Sequence, residues 1–190
     1  MFNDKYGLTA AVLRGEKTQT RRDATRLVEA YWNGRKLGDY PTLSLGKYVR
    51  QHAAYNVGDV VAVAQSYEHV KSHLGAMARC IINPFGSPRE HPGWTNKMFV
   101  KAELMPCRIK ITRVRLQLLQ DISDEDCLNE GVIYDKLTTV APYGFYVKEG
   151  IRKCYRTPQD AFWELINRVS GKGTWERNPY VLAYTFEVVR

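Results

Sequence analysis

Residues 107–119, CRIKITRVRLQLL, constrain this chain more than any other stretch. Cys107, Ile109 and Ile111 alternate with Arg108, Lys110 and Thr112, and then Val114, Leu116 and Leu118 resume the alternation in the opposite phase. Successive side chains of a strand point to opposite faces, so the run reads as one strand with an apolar face and a cationic face. A regular strand cannot absorb a change of phase, and the slip predicts a bulge or bend near Thr112–Arg113. A long strand bent in this way suits a sheet that curls, as in a small barrel.

The remaining elements are read from their punctuation. YGLTAAVLRG is expected to form a short helix with Leu8, Ala11 and Val12 on one face, stopped by Gly15. Residues 18–22 then run extended, with Thr18, Thr20 and Arg22 on one side and Gln19 and Arg21 on the other. VGDVVAVAQSY combines a turn at Gly58-Asp59 with a β-branched run, which predicts a buried strand from about Val60. Ser123, with Asp126 three residues on, opens a short helix from about Asp124 to Glu130, closed by Gly131. Thr157 and Pro158 open a longer one that presents Ala161, Phe162, Leu165, Ile166 and Val169 on one face. NPYVLAYTFEVV alternates as a half-buried strand, with Leu182, Tyr184, Phe186 and Val188 on one face. Strands divided by a few short helices, without βαβ repetition, point to an α+β fold on a small barrel. Residues 23–57 hold a helical turn or two in RLVEAYW and then turn formers, as an insertion or long loop would, and residues 68–97 show no sustained period.

At 190 residues and 44% apolar, the chain can bury one substantial core. The 28 Lys and Arg against 20 Asp and Glu leave a net charge of +8, which favours polyanionic partners. The first residues, MFNDKYGL, lack a basic then apolar leader, and no stretch nears the roughly 18 apolar residues of a membrane span, so a soluble cytoplasmic protein is expected. Cys80, Cys107, Cys127 and Cys154 lie far apart without a C-x-x-C pair, as reduced and mostly buried thiols would.

GEKTQTRR, residues 15–22, is the first candidate for chemistry. A threonine hydroxyl needs a base to become a nucleophile, and Lys17 can be that base for Thr20 if burial and the cations Arg21 and Arg22 lower its pKa. A spacing of three sets them on opposite faces of a regular strand, so they converge only if the chain is still turning at Lys17. A solvated basic strand would carry the same residues. Glu130 is expected at the C-terminal end of its helix, where the dipole disfavours a carboxylate; a solvated helix-end glutamate reads identically. Arg108, Lys110, Arg113 and Arg115 line the polar side of one strand, with Tyr6, Tyr67, Trp94 and Trp175 available for stacking, the combination with which barrels hold single-stranded nucleic acid. His69, His73, Cys80 and His91 lack a second ligand pair, and no metal is expected.

Four stretches in this order, VLRGEKTQTRR, YNVGDVVAV, RIKITRVRLQLLQDISDEDCLNEGV and AFWELINRVSGKGTWERNPYVLAYTFEV, resemble the ASCH superfamily, most of all its versions in phage and prophage proteins. The signatures G-x-K-T-x-T-x-R and L-x-x-I-S-x-E-D-x-x-x-E-G carry the resemblance. It implies a PUA-like small β-barrel, a single domain over residues 1–190 with insertions at about 23–55 and 68–100. One branch, the N4-acetylcytidine amidohydrolases, uses a lysine, a threonine and a glutamate at the places of Lys17, Thr20 and Glu130. By that similarity Thr20 would attack an amide carbonyl after Lys17 takes its proton, Glu130 would manage protons or orient Lys17, and no cofactor or metal would be needed. Arg21, Arg22, Gln65, Tyr67, Arg108, Lys110 and Trp175 would bind the substrate or nucleic acid. Where phage-type relatives carry R-E-T-W, this chain has Ala64-Gln65-Ser66-Tyr67. The expected partner is a modified nucleoside or RNA, either hydrolysed at an N4-acylated cytidine-like base or bound without chemistry.

Overall fold

The long strand exists and bends where its phase slips. In the computed structural model, which describes residues 2–36, 43–75, 80, 82–148 and 151–189, β3 (Arg108–Leu118) buries Ile109, Ile111 and Val114, and its pairing register jumps between Ile111 and Arg113. Thr112 is the additional residue of a bulge. β3 pairs along its length with β7 (Tyr180–Val189), which pairs on its other side with β1 (Gln19–Asp23). The short β2 (Val60–Ala62) completes a wholly antiparallel sheet of order β1-β7-β3-β2, curled into a half-barrel. The fold is α+β, with a few short helices around this sheet.

The inner face of the sheet holds the main core: Ile109, Ile111, Val114, Leu182, Tyr184 and Phe186 meet Val12 of α1 (Leu8–Leu13), Val28 of α2 (Thr25–Lys36) and Val49 of α3 (Leu45–Gln51). The outer face is covered at one end by α4 (Asp124–Asn129) and α5 (Pro158–Ser170), around Cys127, Ala161 and Phe162. Covered on both sides, β7 is buried at four consecutive residues, Val181 to Tyr184. The helix starts follow their expected caps. Ser123 Oγ accepts from the Asp126 N–H at 3.2 Å, and Thr157 Oγ1 accepts from the Asp160 N–H at 3.1 Å.

Three expectations change. Residues 23–57 are not an irregular loop: α2 is twelve residues long and packs with α3 against the sheet. Val28 and Tyr31 on one helix and Val49 on the other form apolar stripes too narrow to stand out in the sequence. The turn-rich stretch between them falls in part outside the described residues, at 37–42. β2 is not a buried strand but a three-residue edge on which Val60 is 51% exposed. A second sheet of order β4-β5-β6, from β4 (Ile133–Tyr134), β5 (Tyr143–Lys148) and β6 (Ile151–Tyr155), packs under α5 and was not foreseen.

Residues 68–100 carry turns and short 3-10 turns about their own cluster of Tyr67, Val70, Leu74, Ile82 and Met105, with 76–79 and 81 outside the described residues. Cys107 and Cys127 are buried, while Cys80 and Cys154 are exposed. Among the described residues no helix is long and apolar enough to cross a membrane.

Candidate functional site

Gly15 decides where Lys17 goes. It sits at φ 76° after α1, the Glu16 N–H bonds Ala11 O at 2.9 Å, and the Gly15 N–H bonds Val12 O at 2.9 Å. This Schellman pair reverses the chain. Lys17 thus lies in the turn ahead of β1, its amide still bonded to Ala11 O at 3.2 Å. Its side chain runs along the sheet edge formed by β1, and its ammonium, 2% exposed as a residue, donates three hydrogen bonds: to Gln19 O at 2.7 Å, Glu130 O at 2.6 Å and Glu130 Oε2 at 2.7 Å.

Glu130 is the C-cap of α4, followed by Gly131 at φ 106°. A side chain at Gly131 would run into Leu8, and the stem of Lys17 passes just beyond, so this close approach needs glycine. The other carboxylate oxygen of Glu130 accepts from Arg21 Nη1 at 2.9 Å. Arg21 continues the network, from Nη1 to Gln19 Oε1 at 2.6 Å and from Nη2 to Asp126 Oδ2 at 2.8 Å. Arg115 Nη2 reaches the same Asp126 oxygen at 2.8 Å. Three cations and two carboxylates thus share a cluster beneath α4 that is buried at Lys17, Arg21 and Glu130 and opens towards solvent at Arg115.

Burial pushes the Lys17 ammonium below its ordinary range; Glu130 opposes this, and Arg22 and Arg21 add to the lowering. Asp126 is pushed up by burial, but Arg21, the Gln19 amide and Arg115 outweigh that and leave it below the usual carboxylate range. Burial raises the Cys127 thiol to about 12, which makes it inert.

Thr20 lies on the opposite face of β1 from Gln19 and Arg21. With Arg22 it lines a hollow of about 140 Å³ inside the curl of the sheet, bounded by Ile109, Ile111, Tyr184, Tyr55 and Phe2 among others. Lys17 and Glu130 are not among its walls, and the three hydrogen bonds of Lys17 do not include Thr20. Phe2 touches both places: its ring lies 5.9 Å from Lys17 Nζ and also lines the hollow.

The other expected binding residues disperse. Arg108 and Lys110 are exposed on the outer face of β3, with the sheet between them and Thr20. Tyr67 is fully buried, its hydroxyl accepting from the Lys101 N–H at 2.8 Å, and Gln65 is buried with its N–H on Met105 Sδ at 3.3 Å. Trp175 packs edge-on against Phe162 beneath α5, and Tyr6 against Phe145. His69 and His73 are exposed, and among the described residues no three His, Cys, Asp or Glu side chains stand together as a metal site. Residues that the sequence did not single out complete the arrangement: Asp126, Gln19, Phe2, Tyr55 and Tyr184. Asp126 carried a signal, an acid in a helix first turn, but capping accounted for it locally.

Compared with known proteins, the chain matches no family model, no curated protein and no solved structure.

Proposed function

We propose that this chain is a PUA-like domain of the ASCH type that hydrolyses the exocyclic amide of an acylated pyrimidine. The observation that carries the reading is a buried amine of lowered pKa, paired with Glu130, one aromatic ring away from a hollow in which a threonine hydroxyl stands. A cavity of about 150 Å³ holds one six-membered ring, so a hollow of about 140 Å³ suits a single pyrimidine between Phe2, Tyr55 and Tyr184. In the proposed reaction, neutral Lys17 takes the Thr20 proton as Oγ1 attacks the acyl carbonyl. The tetrahedral intermediate expels the base's exocyclic nitrogen, which receives that proton from Lys17. Water, deprotonated in turn by Lys17, attacks the acyl-threonine, and the collapsing intermediate expels Thr20 Oγ1, which takes the proton back from Lys17 as the carboxylic acid is released. Glu130 holds Lys17 in place, and the Arg22 guanidinium faces the oxyanion or a phosphate.

Incubation with a panel of N4-acylated cytidines, followed by chromatography, tests the reading. Release of cytidine by the native chain and a loss of about 10³-fold or more in Thr20→Val is expected. A Thr20→Val variant as active as the native chain would rule the mechanism out.

A second reading, binding of single-stranded RNA without chemistry, draws on the exposed row of Arg108, Lys110 and Arg113 on the outer face of β3.

A further inference from the structure

The segment ahead of α1 lies across the site, where its Phe2 does more than line the hollow. Its Phe2 ring rests 5.7 Å from the Phe186 ring, 5.9 Å from the Lys17 ammonium, and against the hollow that contains Thr20. All three N–H bonds of the ammonium go to oxygens of Gln19 and Glu130, so Phe2 contributes no hydrogen bond; it supplies cover. The segment is held from far away in the sequence. Lys97 Nζ donates to Phe2 O at 2.5 Å, to Asp4 Oδ1 at 2.7 Å and to Thr9 Oγ1 at 2.9 Å, tying strap and α1 together in one clasp. The clasp is mostly buried at the lysine, whose side chain is 14% exposed. Residues 68–100, otherwise remote from the chemistry, thereby contribute one side chain that fixes the strap.

We propose that Phe2 is a gate between the buried amine of Lys17 and the Thr20 hollow, and that Lys97 is its latch. With the gate shut, Lys17 stays locked to Glu130 and sealed from water; when the ring swings aside, amine and hydroxyl share one space. Phe2 then acts as a positioning residue through Lys17, in addition to being a wall of the hollow. The inference deepens the hydrolase reading, but its test reads Lys17 directly, so a chain without hydrolase activity can still pass it and an active chain can still fail it.

Reductive methylation of the intact chain with formaldehyde and cyanoborohydride, read residue by residue by mass spectrometry, measures access to each lysine. Exposed Lys110 and Lys172 are internal standards. Lys17 should label at least about tenfold more slowly than these in the native chain, and about tenfold faster than its native rate in Phe2→Ala and in Lys97→Met, while the standards keep their rates. Phe2→Tyr, which keeps the ring, should keep the protection. The pH at which Lys17 labels half-maximally should also rise in Phe2→Ala, because water reaches the amine while Glu130 at the end of α4 and Arg21 and Arg22 from β1 still face it. Unchanged Lys17 labelling in both variants overturns the gate, as does rapid labelling in the native chain. Should Phe2→Ala unfold the chain, seen as equal labelling of every lysine, Lys97→Met decides, since it breaks the clasp without emptying the core.

Discussion

At the scale of single residues, the cluster under α4 contains charges whose part in holding the fold can be measured directly. Asp126 accepts from Arg21, Arg115 and Gln19 and has its pKa lowered by them. A carboxyl whose folded pKa lies below its unfolded one stabilises the fold above the unfolded value, about 3.9, and loses that contribution as pH falls through the folded value. Asp126→Asn is therefore expected to cost about 1.5–3 kcal/mol at neutral pH, the range for hydrogen bonds to charged groups, and almost nothing in strong acid. Denaturant melts at pH 7 and below pH 3 check this; equal losses at both would remove Asp126 from its role. Thiols offer a second check. Cys80 and Cys154 are exposed, whereas Cys107 and Cys127 are buried. A thiol-reactive dye at neutral pH should count two groups in the folded chain and four after denaturation, and four at once would contradict the burial.

At the scale of elements, the bulge in β3 keeps both halves of the strand in phase with one core. Deleting Thr112 removes the extra residue and leaves Ile111 opposite Phe186 and Arg113 opposite Thr185 in one unbroken alternation, so every side chain keeps its face and only the bend is lost. A folded chain with a lower thermal midpoint, read by circular dichroism, is the expected result, and a chain that no longer folds would show that the sheet cannot form without the bend. Gly131→Ala places a side chain at φ 106°, against Leu8. A destabilisation of about 1–3 kcal/mol follows from the backbone strain alone, and an unchanged thermal melt would contradict it. The same elements explain what could be read in advance. β3, α4 and α5 announce themselves through alternation and caps, which depend only on neighbours in the chain. α2 and α3 bury stripes of one or two residues, and β4 to β6 owe their existence to pairing with one another, which leaves little local trace. The site divides likewise: Lys17 and Glu130 stood out in two recognisable motifs. The role of Arg21 in bridging Glu130 to Asp126 depends on α4 lying across β1, a distance of more than a hundred residues along the chain.

At the scale of the whole molecule, the curled sheet has two unlike sides. Its inner side encloses the aromatic hollow with Thr20 and Arg22, while Arg108, Lys110 and Arg113 stand in a row on the outer side, beyond the cover of α4 and α5. If the outer row takes a phosphate backbone, affinity for a single-stranded RNA should fall steeply with salt. Replacing Arg108 and Lys110 by glutamine should lower the slope of log affinity against log salt by about 2, one for each lost phosphate contact. A fluorescence-anisotropy titration in rising salt reads this, and an unaltered slope would clear the outer face of that duty. The strap has a practical counterpart. Because Phe2 rests beside Lys17, any purification handle or fusion partner joined ahead of it starts next to the Lys17–Glu130 pair and disturbs the packing of the strap. Joining the handle after β7, or cleaving it without leaving extra residues, leaves the strap undisturbed.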